Sequence, residues 1–127
     1  MAYALGSRSR ERLQGVHPDL VRVVERAIQI SPVDFTVIEG LRTVEKQREY
    51  VRAGASKTMN SRHITGHAVD LAPWVGGTVR WDWPLFYKLA PAMKRAAQEL
   101  GVAIVWGGDW RTFKDGPHFE LDRKAYP

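Results

Sequence analysis

The sequence has no cysteine. Disulfides are excluded, so folding does not depend on the redox state of the surroundings. Any transition metal must be held by histidine, aspartate or glutamate. Histidine is itself scarce, at four residues in 127. No apolar run approaches the roughly 18 residues that a membrane span needs, which argues against insertion into a bilayer. The first twelve residues carry Arg8, Arg10 and Arg12 without an apolar stretch behind them. They do not read as a secretory signal, and synthesis in the cytoplasm is expected. There is no internal repeat, linker or low-complexity segment.

What is present suits a soluble globular protein. The chain is 44% hydrophobic and 26% charged, and 127 residues make one domain able to bury a core. The formal net charge of +5 suits an anionic partner such as nucleic acid, an acidic membrane surface or a cell-wall polymer. A solvated basic surface explains it nearly as well.

Residues 1–16 mix Ser, Arg and Gly and are expected to be loosely held, with Leu13 and Val16 beginning to dock. Pro18 and Asp19 suit a helix start. Leu20, Val23, Val24, Ala27 and Ile28 then give one apolar face. Phe35 to Glu39 is rich in β-branched residues and predicts a strand ended by Gly40. Thr43 can cap a charged second helix running to about Ala53, with Gly54 as its left-handed stop and Leu41, Val44, Tyr50 and Val51 as anchors. Ala68 to Ala72 predicts a strand ended by Pro73. Gly76-Gly77 predicts a hairpin turn with Val79 and Trp81 on the return. Asp82 can cap a helix with Phe86, Leu89, Ala90, Met93, Ala97 and Leu100 on its buried face. Pro91 should kink or split it. Val102 to Trp106 and Pro117 to Leu121 predict the last strands. The expectation is an α+β fold with strands concentrated in the second half.

The chemistry concentrates in two clusters. Ser61-Arg62-His63-Ile64-Thr65-Gly66-His67-Ala68-Val69-Asp70 puts two histidines and a carboxylate into ten residues. Asp115-Gly116-Pro117-His118-Phe119-Glu120 adds a histidine three residues after an acid. A zinc site with an open position takes three protein ligands. Spacing alone does not choose between His67 and Asp70 as the partner of His63. The plainer alternatives are surface histidines beside a hydrogen-bonded aspartate, and a turn with an incidental histidine. Two such clusters in a chain with four histidines outweigh them.

Together, Ser61-x-His63-x-x-Gly66-x-Ala68-x-Asp70 and Asp115-x-x-His118 resemble the zinc site of the D-alanyl-D-alanine carboxypeptidase and phage endolysin superfamily, and most of all the phage L-alanyl-D-glutamate peptidases. The segments Val16 to Leu20, Glu39 to Thr43, Gln47-Arg48, Trp106 to Trp110 and Pro117 to Glu120 extend the resemblance over nearly the whole chain. It implies a small antiparallel sheet flanked by helices, in the zinc D,D-peptidase (hedgehog-like) fold. It implies Zn²⁺ held by His63, Asp70 and His118, with His67 outside the ligand set. Asp115 becomes the general base, a place where other branches carry glutamate. Arg42 matches an arginine beside the site that stabilises an oxyanion or holds a substrate carboxylate.

The remaining roles are weaker readings. Ser61 orients a ligand or binds substrate backbone, or is a plain loop hydroxyl. Trp106 and Trp110 are placed near the cleft because they precede Asp115 on one loop, whereas tryptophans more often serve as packing. Asp109 could support a ligand histidine or simply make a turn.

The implied function is a peptidoglycan peptidase cutting the L-Ala–D-Glu bond of the stem peptide. Some relatives add a separate wall-binding domain, but a single catalytic domain over residues 1–127 leaves no room for one, and a monomer without a nucleic-acid partner is expected. The resemblance implies release to the wall through a pore made by another protein. A D,D-carboxypeptidase on the same scaffold is the alternative. A basic binding module ranks below both, because it gives no reason for His63, Asp70, Asp115 and His118 to occur together.

Overall fold

The computed structural model describes residues 2–127. Four helices, α1 (Ser7–Arg12), α2 (Pro18–Ile30), α3 (Val44–Arg52) and α4 (Trp83–Leu100), alternate with five strands: β1 (Phe35–Glu39), β2 (Ala68–Val75), β3 (Thr78–Val79), β4 (Ile104–Trp106) and β5 (His118–Leu121). A short 3₁₀ turn, Gly107–Asp109, follows β4. The strands pair antiparallel in the order β1-β2-β5-β4, with β3 returning along the end of β2. This is the expected α+β architecture.

Helix α2 begins as its sequence dictates. Pro18 takes the first position, and the His17 ring accepts the Asp19 amide at 3.1 Å. Its buried stripe is Leu20, Val23, Val24, Ala27 and Ile28, the apolar set read from the spacing. That stripe packs against α4, whose buried face is Phe86, Leu89, Ala90, Ala92, Met93, Ala96 and Ala97. Together they cover Val37, Val69, Leu71, Phe119 and Leu121 of the sheet.

Five expectations are corrected. The N-terminal segment is not loosely held. It forms α1, and Ser9 is buried with its hydroxyl 3.0 Å from that of Thr36 and accepting the Val37 amide. Pro73 does not end β2, which runs on to Val75. The Leu71 amide reaches the carbonyl of Pro117 and the Trp74 amide that of Asp34, so by strand alternation the missing donor at Pro73 faces the side where β5 has already ended. Trp81 lies beyond the return strand, which stops at Val79. Pro91 does not split α4, which runs unbroken through it. Pro91 and Tyr87 both lie on the exposed face, where water can serve the carbonyl left without a donor. Finally, α3 is not anchored by Leu41 and Val44, which are exposed; its buried residue is Gln47.

Strand register sets up the site. Asp70 on β2 stands opposite His118 on β5 and opposite Glu39 on β1. One side of the sheet therefore collects three charged or ligating side chains from three neighbouring strands.

Candidate metal centre

His63 arrives from a tight turn before β2. Gly66 closes that turn at φ +77, and a Cβ there would lie 2.5 Å from the carbonyl oxygen of Gly15. Only glycine tolerates both the left-handed backbone and that approach. The Arg42 amide donates to the carbonyl of His63 at 3.0 Å, tying the turn to the end of β1. The His63 ring is buried, and its Nδ1 lies 2.9 Å from the carbonyl oxygen of Gly40. That carbonyl can only accept, so Nδ1 carries the proton and Nε2 is left to face the cleft.

Nε2 of His63 lies 3.2 Å from Oδ1 of Asp70, and Nδ1 of His118 lies 3.4 Å from the same oxygen. The other nitrogen of His118, Nε2, is 2.8 Å from Oε1 of Glu120. The two imidazoles face one another with centroids 5.2 Å apart. The three atoms that converge all lie within 4.8 Å of one another. Two ring lone pairs and a carboxylate oxygen repel unless a cation sits between them, and either a metal ion or a proton can fill that role.

The charges respond accordingly. Burial opposes the charge of Asp70, but hydrogen bonds to His118 and His63 outweigh it and hold the carboxyl well below its ordinary range. Burial also opposes the charge of His118, but Asp70 and Glu120 together raise its pKa to about 9. The same two carboxylates that favour a proton on His118 would favour a metal cation at this position.

A cleft of about 810 Å³ opens over this group, lined among others by Arg42, Tyr50, Ser61, Trp110 and Asp115. Burial, and then the negative charge of Asp70, push the Asp115 carboxyl upward. The loop that carries it is held by its own backbone. The Asp115 amide donates to the carbonyl of Gly107, and the His118 amide to that of Asp115. A Cβ on Gly107 would meet the Asp115 carbonyl at 2.4 Å, so the Gly-Gly pair after β4 lets the two clusters approach.

Arg42 is nearly buried and ion-pairs with Glu39. It donates to Gln47 at 2.7 Å, lies 3.4 Å from the Ser61 hydroxyl and 4.0 Å from Oδ2 of Asp70, and sits over the Tyr50 ring. Gln47 in turn donates to Ser56 and to the carbonyl of Thr58. Ser61 Oγ also accepts the His63 amide at 3.2 Å.

Among the expected site residues, His63, Asp70, His118, Asp115, Arg42, Ser61 and Trp110 come together. Trp110 packs 5.1 Å from the His118 ring. Trp106 does not line this cleft. It is buried, stacks on Phe119, and its indole N–H donates to the Gly116 carbonyl at 2.7 Å, so it braces the loop beneath Asp115. Asp109 supports no histidine; it pairs with Lys94 at 2.6 Å. His67 stands apart, bonded to Thr65 and packed near His17. The sequence reading missed Glu120, Gln47 and Tyr50. Glu120 follows His118 by two residues, the strand repeat that places side chains on one face, and that was the available signal.

Residues 1–126 match the family model described as phage L-alanyl-D-glutamate peptidase. The chain belongs to that family. This peptidase is 36% identical over 130 residues to the L-alanyl-D-glutamate peptidase of Escherichia phage T5, covering 99% of this chain and 94% of that one. Among solved structures it resembles the L-Ala D-Glu endopeptidase ChiX of Serratia marcescens, with a TM-score of 0.91, 54% identity, and coverage of 95% of this chain and 91% of that one. A more distant likeness, to the D,D-dipeptidase VanXYg, has a TM-score of 0.56 at 17% identity over 84% of this chain and 50% of the other. It speaks for the shared fold alone.

Proposed function

We propose that this family member is a zinc peptidase that hydrolyses the L-Ala–D-Glu bond of peptidoglycan stem peptides. The observation that carries the zinc assignment is the spacing of its donor atoms. A tetrahedral site with bonds of about 2.0–2.2 Å has ligand-to-ligand edges of about 3.3–3.6 Å. The two separations to Asp70 Oδ1 are 3.2 and 3.4 Å. Each histidine also has its second nitrogen engaged, by Gly40 and by Glu120. Such partners fix ring orientation and ligand basicity in zinc proteins. Two nitrogens and one carboxylate oxygen leave a fourth position open, as in catalytic rather than structural sites.

His63, Asp70 and His118 would hold the ion through Nε2, a carboxylate oxygen and Nδ1. Once bound, zinc supplies Lewis acidity to the scissile carbonyl and to water. Asp115, whose pKa is raised above the ordinary carboxylate value by burial and by Asp70, takes the proton from the attacking water and later gives it to the leaving amine. Arg42 is held in one orientation by Glu39, Gln47 and Tyr50. It presents a fixed cation to the developing oxyanion or to a substrate carboxylate. Ser61 holds the His63 turn and lies beside Arg42. Trp110 forms the wall against which the substrate backbone rests.

The test is digestion of purified peptidoglycan with product identification by mass spectrometry, with and without a chelator. New N-terminal D-Glu that disappears on chelation supports the proposal. Free D-alanine would point instead to D,D-carboxypeptidase action. Within this reading the enzyme works as a monomer and reaches the wall through a pore made by another protein.

A further inference from the structure

Three large aromatic side chains near the start of α4 stand in solvent: Trp81 at 57% exposed, Trp83 at 39% and Tyr87 at 59%. None of them lines the cleft over the metal group. They are not scattered. Trp81 lies 6.5 Å from Phe86, Trp83 lies 6.1 Å from Phe86 and 5.7 Å from Tyr87, and Tyr87 lies 6.0 Å from Trp106. Contiguous exposed aromatic surface of this kind marks an interaction site more often than chance.

The patch is continuous with the catalytic loop. Trp106, at its inner end, donates to the carbonyl of Gly116. A Cβ on Gly116 would meet the Phe86 ring at 3.2 Å. Gly116 lies between Asp115 and His118, so one loop's thickness separates the aromatic face from the metal group. Two of the charges at its edge are paired, Arg80 with Asp82 at 2.5 Å and Lys94 with Asp109 at 2.6 Å, which leaves Lys88 beside Tyr87 as a lone exposed cation there among the described residues and no strong field of one sign. An acidic bilayer would call for a field of one sign. A neutral polysaccharide would not, because sugar rings stack their C–H faces on indole and phenol rings while their hydroxyls remain in water.

We propose that Trp81, Trp83 and Tyr87 form a docking face for the glycan strand of the substrate. The proposal rests on the peptidoglycan reading above. L-Ala is the first residue of the stem peptide, attached to the sugar, so a bond cut just after it brings the glycan close to the metal group. A surface that holds the strand keeps the enzyme on its polymer between cuts and raises the local concentration of stem peptides.

The test compares the wild type with Trp81→Ala and with Trp81→Ala/Tyr87→Ala, all carrying zinc. Binding is measured to glycan strands stripped of peptide by an amidase, at about 0.5 M salt so that the lactyl carboxylates freed by that treatment are screened, and hydrolysis both on a sugar-free stem peptide and on intact sacculi. Each variant should bind stripped glycan at least about fivefold more weakly and lose a similar factor in kcat/KM on sacculi. On the sugar-free peptide both should stay within about twofold of wild type, which also shows that the site is folded. Trp81→Phe should restore most of the glycan binding.

Equal glycan binding by wild type and the single variant overturns the proposal. So does loss confined to binding of phosphatidylglycerol vesicles, or a shift from dimer to monomer in sedimentation, since either names another occupant. If no protein cuts the sugar-free peptide while glycan binding falls as described, the peptidase reading fails and the docking face stands.

Discussion

Glu120 does more at the level of single residues than its place in the sequence suggests. It engages the nitrogen of His118 that faces away from Asp70, and it is itself flanked by Arg62 at 3.9 Å and Arg123 at 3.6 Å. Glu120→Ala should lower zinc affinity by about 10–100-fold, measured by competition with a chromophoric chelator. Unchanged affinity would mean that His118 needs no such support. Asp115→Ala should keep one equivalent of zinc and lose turnover by at least about 10²-fold, because the residue moves a proton and holds no metal. Retained hydrolysis would remove it as the base. The proton on His118 gives a pH dependence whose sign can be worked out. Its folded pKa is raised from 6.5 to about 9, so its stabilisation is full below 6.5 and is lost as pH climbs through 9. Asp70 is held below its usual 3.8, so its contribution is present above that value and fades in acid. The metal-free protein should therefore melt highest between about pH 4 and 6.5, and its Tm should fall toward pH 9. Zinc should abolish the alkaline fall by replacing that proton. At this scale His63, Asp70 and His118 were legible as donors. Gln47 was not, because its partners Ser56 and Thr58 lie in a loop beyond its helix, and Glu120 was passed over although the strand repeat places it on the His118 face.

For whole elements, the outcome turned on what faces water. The apolar spacing of α2 and α4 was readable because burial and helical period coincide in them. Helix α3 misled, since its buried residue is a glutamine, while its own Val44 and the preceding Leu41 are exposed. The two prolines misled because β5 has ended on the side that Pro73 faces, and water can reach the carbonyl that Pro91 leaves without a donor. Pro91→Ala should restore a backbone donor to α4 at an exposed position and raise stability by about 1–3 kcal/mol in chemical denaturation. A loss of stability would show that Pro91 is shaping the helix after all. Gly107→Ala should act oppositely. Its Cβ would lie 2.4 Å from the Asp115 carbonyl and 3.1 Å from the His118 Cβ. Activity should fall sharply as the loop moves, while α2 and α4 keep their helical signal in circular dichroism.

Across the whole molecule, two facts combine: a basic chain of net charge +5 and a cleft that joins residues from the end of β1 through Asp70 with residues from Val105 onward. The charge was plain from composition, and the α+β class from the order of helical and strand patterns along the chain. The aromatic face outside the cleft was not, because tryptophans on a helix read as core until their exposure is known. If the positive surface speeds encounter with an anionic wall, kcat/KM on sacculi should fall several-fold between about 50 and 500 mM salt. A small uncharged peptide should show little change over the same range. Equal salt sensitivity for both would locate the effect in the cleft itself.

The account depends on one cation bridging residues 63, 70 and 118. Anomalous diffraction at the zinc absorption edge, from crystals grown with stoichiometric zinc, tests this directly. The account predicts a single strong peak within bonding distance of His63 Nε2, an Asp70 carboxylate oxygen and His118 Nδ1. A peak elsewhere, or none at these atoms in crystals of fully active protein, would contradict it.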